Sequence, residues 1–346
     1  MIRLIIVFNK KSMETNDQNY QTFSQTVQTT VTTYDVTTPQ EQYIVAEDIL
    51  KDQQFKQVCG LYEINPYFAE RMKALEGYEI IIVADDSGSM MSIINSFCPY
   101  GKAATRWDEL KITVGIVVDI AATMDRNGVD VYFLNRPPIK NITNHSQLDA
   151  TFSVKPNGGT CIVPILRSIL HVKTDSPRLI ILATDGQPTD NFGNINTHEL
   201  KTVLQYERGP NDYMTILACT DEDDVMSYLN GWDRDLPRLD VVDDYYSERK
   251  EILCVQGNNF VFSFGDYVVK MLMGSVDKWF DGLDEEKVYI GTTTPSVDQS
   301  VHNQVPVAES SYTTTSHIQP HNRYYLDPHN KFHKYKKTNN CKCVIL

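Results

Sequence analysis

The chain has 346 residues, a length typical of one or two domains. Its 45 acidic and 32 basic side chains give a formal net charge of −13, which argues against nucleic-acid binding because a phosphate backbone needs a basic face. The seven cysteines show no zinc spacing and no even disulfide framework, and no apolar run is long enough to cross a membrane, so we expect free thiols in a reducing compartment.

Residues 1–40 predict a polar, largely disordered leader. Residues 2–8 read IRLIIVF, but no small-residue cleavage site follows, so we expect a short strand, or a true start at Met13, and not a secretory signal. Residues 13–40 are rich in Thr and Gln and poor in aliphatic residues. Such a segment buries too little surface to offset its ordering entropy.

Residues 41–76 predict a short helical lead-in. Asn65-Pro66 is typical of a helix start, because proline suits the first helical position, where its missing N–H leaves no bond unmade. Tyr67, Met72 and Leu75 then provide one apolar face. We therefore expect at least one helix before the main domain.

Residues 77–284 predict one α/β domain. Its short apolar runs predict strands, and the stretches between them have helical spacing; the strands are expected at 80–84, 129–134, 179–183 and 214–218, and the helices at 110–124, 162–170, 200–206, 225–229 and 267–280. Apolar strands that alternate with amphipathic helices indicate a mainly parallel sheet with helices on both faces.

Three loops at the carboxyl edge of this predicted sheet carry oxygen donors. Residues 85–90 (DDSGSM) follow the first strand, 157–160 (NGGT) precede a helix, and 184–186 (TDG) follow the strand at 179–183. Ligands of open α/β sheets bind beyond the carboxyl ends of the strands. Hard oxygen donors with few carboxylates and no His or Cys favour Mg²⁺ or Mn²⁺ over zinc or copper.

These residues resemble the von Willebrand factor type A domain with its metal-ion-dependent adhesion site. The family pattern begins with D-x-S-x-S, and its positions fall, in order, on Asp85, Ser87, Ser89, Thr160 and Asp185. The resemblance spans the whole α/β segment. It implies a Rossmann-like, doubly wound sheet in which Ser87, Ser89 and often Thr160 bind the metal directly, while the two aspartates commonly act through water.

Hydroxyl ligands neutralise little of the charge of Mg²⁺, so such a site leaves the ion able to accept an acidic side chain from a partner. We therefore predict a Mg²⁺-dependent protein-interaction module and not an enzyme. The alternative is a metal-dependent hydrolase of unknown substrate, since a bound metal activates water. A phosphatase of the D-x-D type would need a carboxylate where Ser87 stands. We also expect Asp185→Ala to weaken metal binding with little loss of fold, because site loops contribute less to stability than core strands.

Residues 285–330 predict a flexible linker, and residues 331–346 a polybasic tail with a lipidation motif. The chain ends in CVIL, the C-a-a-X form read for geranylgeranylation of Cys343, and Cys341 beside it is a candidate for palmitoylation. A single lipid holds a protein only reversibly, and nearby lysines add attraction to an anionic leaflet. Five lysines and no acid occupy the last 16 residues: Lys331, Lys334, Lys336, Lys337 and Lys342. We predict attachment to the cytoplasmic face of a membrane.

Overall fold

The computed structural model describes residues 2–6, 32–36, 39–94, 100, 103–124, 127–220, 222–229 and 231–288. The rest of the predicted leader lies outside the described residues, as do the linker beyond 288 and the tail with Cys341, Cys343 and the five lysines. Strands β1 (Ile2–Ile6) and β2 (Thr32–Val36) form an antiparallel pair. β1 is the short strand expected within residues 2–8, whereas β2 lies in the segment 13–40 that was predicted to be disordered, because composition does not reveal a pairing between segments 26 residues apart.

Two helices precede the main sheet: α1 (Pro39–Leu61) and α2 (Pro66–Met72), the latter continued by a 3-10 turn at Lys73–Leu75. The predicted helix start is confirmed, because the Asn65 side chain accepts a hydrogen bond from the Tyr67 N–H at 2.9 Å. The buried face of α2 includes Phe68 and Met72, whereas Tyr67 is only half-buried. The lead-in thus packs onto the domain as part of its core.

The main sheet has six strands in the order β5-β4-β3-β6-β7-β8. All neighbours are parallel except the antiparallel edge pair β4–β5. The strands are β3 (Glu79–Ala84), β4 (Val129–Phe133), β5 (Ile139–Ile142), β6 (Arg178–Thr184), β7 (Asp212–Ala218) and β8 (Leu239–Val242). In order of appearance along the chain this is 3-2-1-4-5-6, the doubly wound order, so the predicted α/β architecture is confirmed.

Helices cover both faces of the sheet. All seven residues of β6 are buried, as expected for a strand with no solvent-facing side. On one face Ile81, Ile180 and Ile216 belong to a core cluster with Leu166 and Leu200. The helices that follow α2 are α3 (Arg106–Met124), α4 (Asp149–Phe152), α5 (Ile162–Leu170), α6 (Thr197–Tyr206), α7 (Asp223–Met226), α8 (Trp232–Asp235), α9 (Tyr245–Gln256), α10 (Phe264–Met273) and α11 (Lys278–Asp281).

The closing helix predicted at 267–280 is two helices, α10 and α11, separated by a turn. Asp277 caps α11 by accepting a hydrogen bond from the Trp279 N–H at 3.1 Å. Gly274, where α10 ends, packs directly on Asp240, since a Cβ there would lie 1.7 Å from the Asp240 carboxylate. This tertiary contact leaves no trace in the local pattern. No helix among the described residues is long and apolar enough to cross a bilayer.

Strand β3 lies between β4 and β6, so the chain winds outward in one direction from β3 and in the other from β6. At such a switch point the loops that leave two neighbouring parallel strands diverge and open a crevice. The loops that begin at Asp85 and Asp185 both leave the sheet here. The topology therefore places two of the predicted site residues at the position where doubly wound proteins bind ligands.

Candidate metal centre

Strands β3 and β6 bring two buried carboxylates to the same sheet edge. Ala84 pairs with Ala183, and the Asp85 N–H extends the ladder by donating to the Ala183 carbonyl at 2.9 Å. Asp185 follows two residues after Ala183, and both aspartates are buried. The sheet register itself therefore sets the positions of the two backbones.

The two serines link this edge through a chain of hydrogen bonds. Ser87 Oγ lies 3.0 Å from Ser89 Oγ, and Ser89 Oγ donates to Asp185 Oδ1 at 2.8 Å. Asp85 holds the loop to the end of β6. Its Oδ1 accepts a hydrogen bond from the Ser87 N–H at 2.9 Å, and its Oδ2 accepts one from the Thr184 hydroxyl at 2.6 Å. The structure thus brings together four of the five predicted site residues.

The loop that carries Thr160 reaches the same edge through the backbone of Gly158. The Gly88 N–H donates to the Gly158 carbonyl at 3.4 Å, which joins the Thr160 loop to the serine loop. Gly158 has a φ of +121°, and a Cβ there would lie 2.2 Å from the Asn135 side chain, so this position requires glycine. The half-buried Thr160 side chain does not hydrogen bond to the other four predicted residues within the described part of the chain.

Arg106 is a part of the site that sequence reasoning missed. Its Nη1 donates to Asp185 Oδ2 at 2.9 Å and its Nη2 to Glu222 Oε1 at 2.7 Å. The side chains of Arg106 and Asp185 are 7% and 0% exposed, whereas that of Glu222 is 60% exposed. The sequence offered one signal. Arg106 is the first residue of α3, and a positive charge is unfavourable at a helix N-terminus, which indicates that an acidic side chain pairs with it.

Asp86, next to Asp85 in sequence, has a different role. Its carboxylate accepts hydrogen bonds from the Asn135 N–H at 2.8 Å and from Arg136 Nε at 2.6 Å. Arg136 also donates to the carbonyls of Thr151 and Val154 at 2.9 and 3.2 Å. Asp86 is therefore a fully paired residue that fastens the loop after β4 to the site, and its charge is compensated.

Burial raises the pKa of Asp85 to about 6, although hydrogen bonds from Thr184 and Ser87 oppose the shift; the nearby Asp185 charge adds to it. Burial thus disfavours the charged form of Asp85, which a nearby cation would stabilise. Among the described residues no three His, Cys, Asp or Glu side chains cluster as a metal site. The donors gathered here are instead two carboxylates and the hydroxyls of Ser87 and Ser89.

The chemistry of these oxygens suits a small hard cation, because Mg²⁺ prefers oxygen ligands. The Ser87 Oγ–Ser89 Oγ separation is 3.0 Å and the Ser89 Oγ–Asp185 Oδ1 separation is 2.8 Å, which are hydrogen-bond lengths that hold the three donors side by side. The donor set thus fits Mg²⁺ or Mn²⁺ in its chemistry.

No protein-family model and no curated protein matches the sequence. Solved structures similar to it include an aerotolerance-related membrane protein from Bacteroides fragilis NCTC 9343 carrying multiple mutations to serine. The two sequences are 18% identical, the match covers 41% of this chain and 67% of that chain, and the TM-score is 0.30. Another is the PilB minor pilin from Streptococcus sanguinis, which is 13% identical in sequence. That match covers 60% of this chain and 62% of the pilin, with a TM-score of 0.36. Both TM-scores lie below 0.5, so what the chain does has to follow from its own site.

Proposed function

We propose that this protein is a Mg²⁺-dependent protein-binding module of the von Willebrand factor A type. Asp85, Ser87, Ser89, Thr160 and Asp185 would hold Mg²⁺ (or Mn²⁺), and an Asp or Glu of a partner protein would complete its ligands. The observation that carries the proposal is the chain of hydrogen-bonded oxygens from Ser87 through Ser89 to Asp185, which lies at the switch point of the sheet.

The charges of the site favour an anionic partner. Asp85 and Asp185 contribute two negative charges, Arg106 contributes one positive charge, and Asp86 is compensated by Arg136. A divalent cation would bring these buried charges to a net charge of +1, and the exposed Glu222, which pairs with Arg106 at 2.7 Å, would offset part of it. A carboxylate from a partner would then offset the positive charge that remains.

The described residues give more support to binding than to hydrolysis. A hydrolase needs a general base within reach of the activated water. His145 Nδ1 lies 2.8 Å from Asp119 Oδ1, a pairing suited to a base. Asp119, however, is thirteen residues beyond Arg106 on α3, about 20 Å along the helix axis. This pair is therefore remote from the candidate metal centre.

The membrane half of the proposal is that geranylgeranylated Cys343, aided by Cys341 and the lysine-rich tail, attaches the protein to an anionic cytoplasmic leaflet. Its support comes from the sequence motif alone. The acidic main domain would be repelled by such a leaflet, so the polar stretch after residue 288 would act as a spacer.

The binding function is tested by capturing partners from a cell lysate with the full chain in Mg²⁺ and in chelator. Ser89→Ala removes the central hydroxyl of the oxygen chain, and Ser92→Ala is the matched control three residues away. We expect the same partner to bind wild type and Ser92→Ala only in Mg²⁺, and Ser89→Ala in neither condition. Capture that survives chelator unchanged would place the interface elsewhere.

A further inference from the structure

The loops that carry the candidate metal ligands also carry exposed apolar side chains. Among the described residues, the two most exposed large apolar side chains are Phe192 and Ile93, at 89% and 79%. Ile93 follows Ser89 by four residues, and Phe192 follows Asp185 by seven. Ile195, in the same loop as Phe192, is also exposed. Scattered exposed apolar residues are ordinary, but grouping beside a polar site is typical of an interface.

The Phe192 loop is held in place. Asp190 Oδ1 accepts hydrogen bonds from the N–H groups of Phe192 at 2.8 Å and Asn194 at 2.9 Å. The Asp190 N–H donates to the Asn194 carbonyl at 2.9 Å, and Gly193 closes the turn at a φ of +82°. An ordered turn that presents an aromatic ring to water does not stabilise the fold by burying that ring, so a binding role explains it better.

The same loop is fastened to the candidate metal centre. The Thr189 N–H donates to the Thr160 carbonyl at 2.9 Å, and Cys161 Sγ donates to the Asp190 carbonyl at 3.5 Å. Phe192 is three residues beyond Thr189, so their Cα atoms are at most about 11 Å apart. An extended peptide covers that distance in about three residues.

Ile93 is fixed on the other ligand loop. It forms an antiparallel bridge with Thr105, and the neighbouring Ile94 N–H donates to the Ala104 carbonyl at 3.2 Å. Each of the two ligand loops thus presents an apolar side chain on an ordered backbone. Such contacts surround the polar centre of an interface and exclude water from it.

From this arrangement we infer the chemistry of the partner, on the basis of the function proposed above. The partner is a protein segment whose metal-binding Asp or Glu has apolar side chains within about four residues of it in sequence. One of these side chains packs on Phe192 and the other on Ile93. The carboxylate gives dependence on the metal, and the apolar side chains exclude water from the bond between the carboxylate and the metal and so strengthen it.

The test uses synthetic nine-residue peptides with a central Asp, and the full chain in Mg²⁺ or in chelator. Leu is placed at each flanking position in turn, with Ser-flanked peptides for comparison. We expect Mg²⁺-dependent binding that requires apolar flanks and falls at least tenfold in Phe192→Ser and in Ile93→Ser. Tyr206→Ser is the matched control, because Tyr206 is 73% exposed but lies at the far end of α6 from the site.

Two results would overturn the inference while leaving the proposed function intact: Mg²⁺-dependent binding equal for Ser-flanked and Leu-flanked peptides, or equal losses in all three variants. Binding of apolar peptides that lack Asp would also overturn it, since the surface would then act without the metal. Failure of the chain to bind Mn²⁺ at all would instead overturn the proposed function.

Discussion

The shared guanidinium of Arg106 allows a buried and an exposed ion pair to be compared on one side chain. Asp185→Asn removes the charge of the buried partner, while Arg106 keeps its bond to Glu222 at 2.7 Å. Breaking a buried pair costs about 3–5 kcal/mol because one charge is left uncompensated. Since the Asn oxygen still accepts one hydrogen bond and Glu222 still offsets the charge of Arg106, we expect a loss of about 2–3 kcal/mol.

The matched variant is Glu222→Gln, which removes the other partner of the same guanidinium. The Glu222 side chain is 60% exposed, so its pair should contribute at most about 1 kcal/mol. The assay is urea unfolding in chelator, where no metal contributes to stability. A loss of less than about 0.5 kcal/mol in Asp185→Asn, the size of an ordinary surface substitution, would contradict this prediction, and so would an equal loss in Glu222→Gln. The prediction differs from the sequence-based expectation that Asp185→Ala causes little loss of fold, because the ion pair with Arg106 is buried.

Three further predictions concern pH, packing and the tail. Burial raises the pKa of Asp240 to about 7, so between its unfolded pKa and pH 7 the folded chain binds a proton that the unfolded chain has lost. Stability should therefore fall as pH rises through this window, and Asp240→Asn should flatten that fall in urea unfolding at pH 5.5 and 8; an unchanged slope would contradict this. Gly265→Ala should destabilise by more than about 2 kcal/mol, because its Cβ would lie 2.0 Å from the Tyr62 carbonyl oxygen, whereas Gly60→Ala, with open space around it, should have little or a slightly stabilising effect. Cys343→Ser should move the protein from the membrane fraction to the supernatant; equal fractionation would mean that no lipid anchor exists.

The architecture was predictable because the four central strands of the main sheet, β4, β3, β6 and β7, contain short apolar runs, and β6 is buried along its whole length. The edge strands β5 and β8 were not predicted, since each has only four residues and the middle of β5 is polar. Asp85 and Asp185 directly follow two such runs, so their meeting at one sheet edge follows from the parallel arrangement. The serine spacing after Asp85 then predicted two further oxygen donors, Ser87 and Ser89, which the structure places beside Asp185. Local pattern was sufficient wherever the relevant residues are close in sequence or fixed by strand direction.

The features that were missed depend on contacts between distant segments. Arg106 pairs with Asp185, which is 79 residues away in sequence, and the residues adjacent to Arg106 in sequence do not identify that partner. The split between α10 and α11, by contrast, had two local signals, Gly274 at the end of α10 and the Asp277 cap of α11, which the continuous helical spacing outweighed. The exposure of Phe192 depends on the Asp190 turn, whose hydrogen bonds are local but whose position against Thr160 is not.

The most direct test of the metal centre is titration of the full chain with Mn²⁺, followed by calorimetry or by the spin resonance of the free ion. We predict one bound ion per chain, displaced by Mg²⁺, in wild type and in the Ser92→Ala control. Binding should be at least tenfold weaker in Ser89→Ala, because that change removes the hydroxyl between Ser87 and Asp185 in the oxygen chain. Equal Mn²⁺ affinity in all three proteins would contradict the assignment of the site.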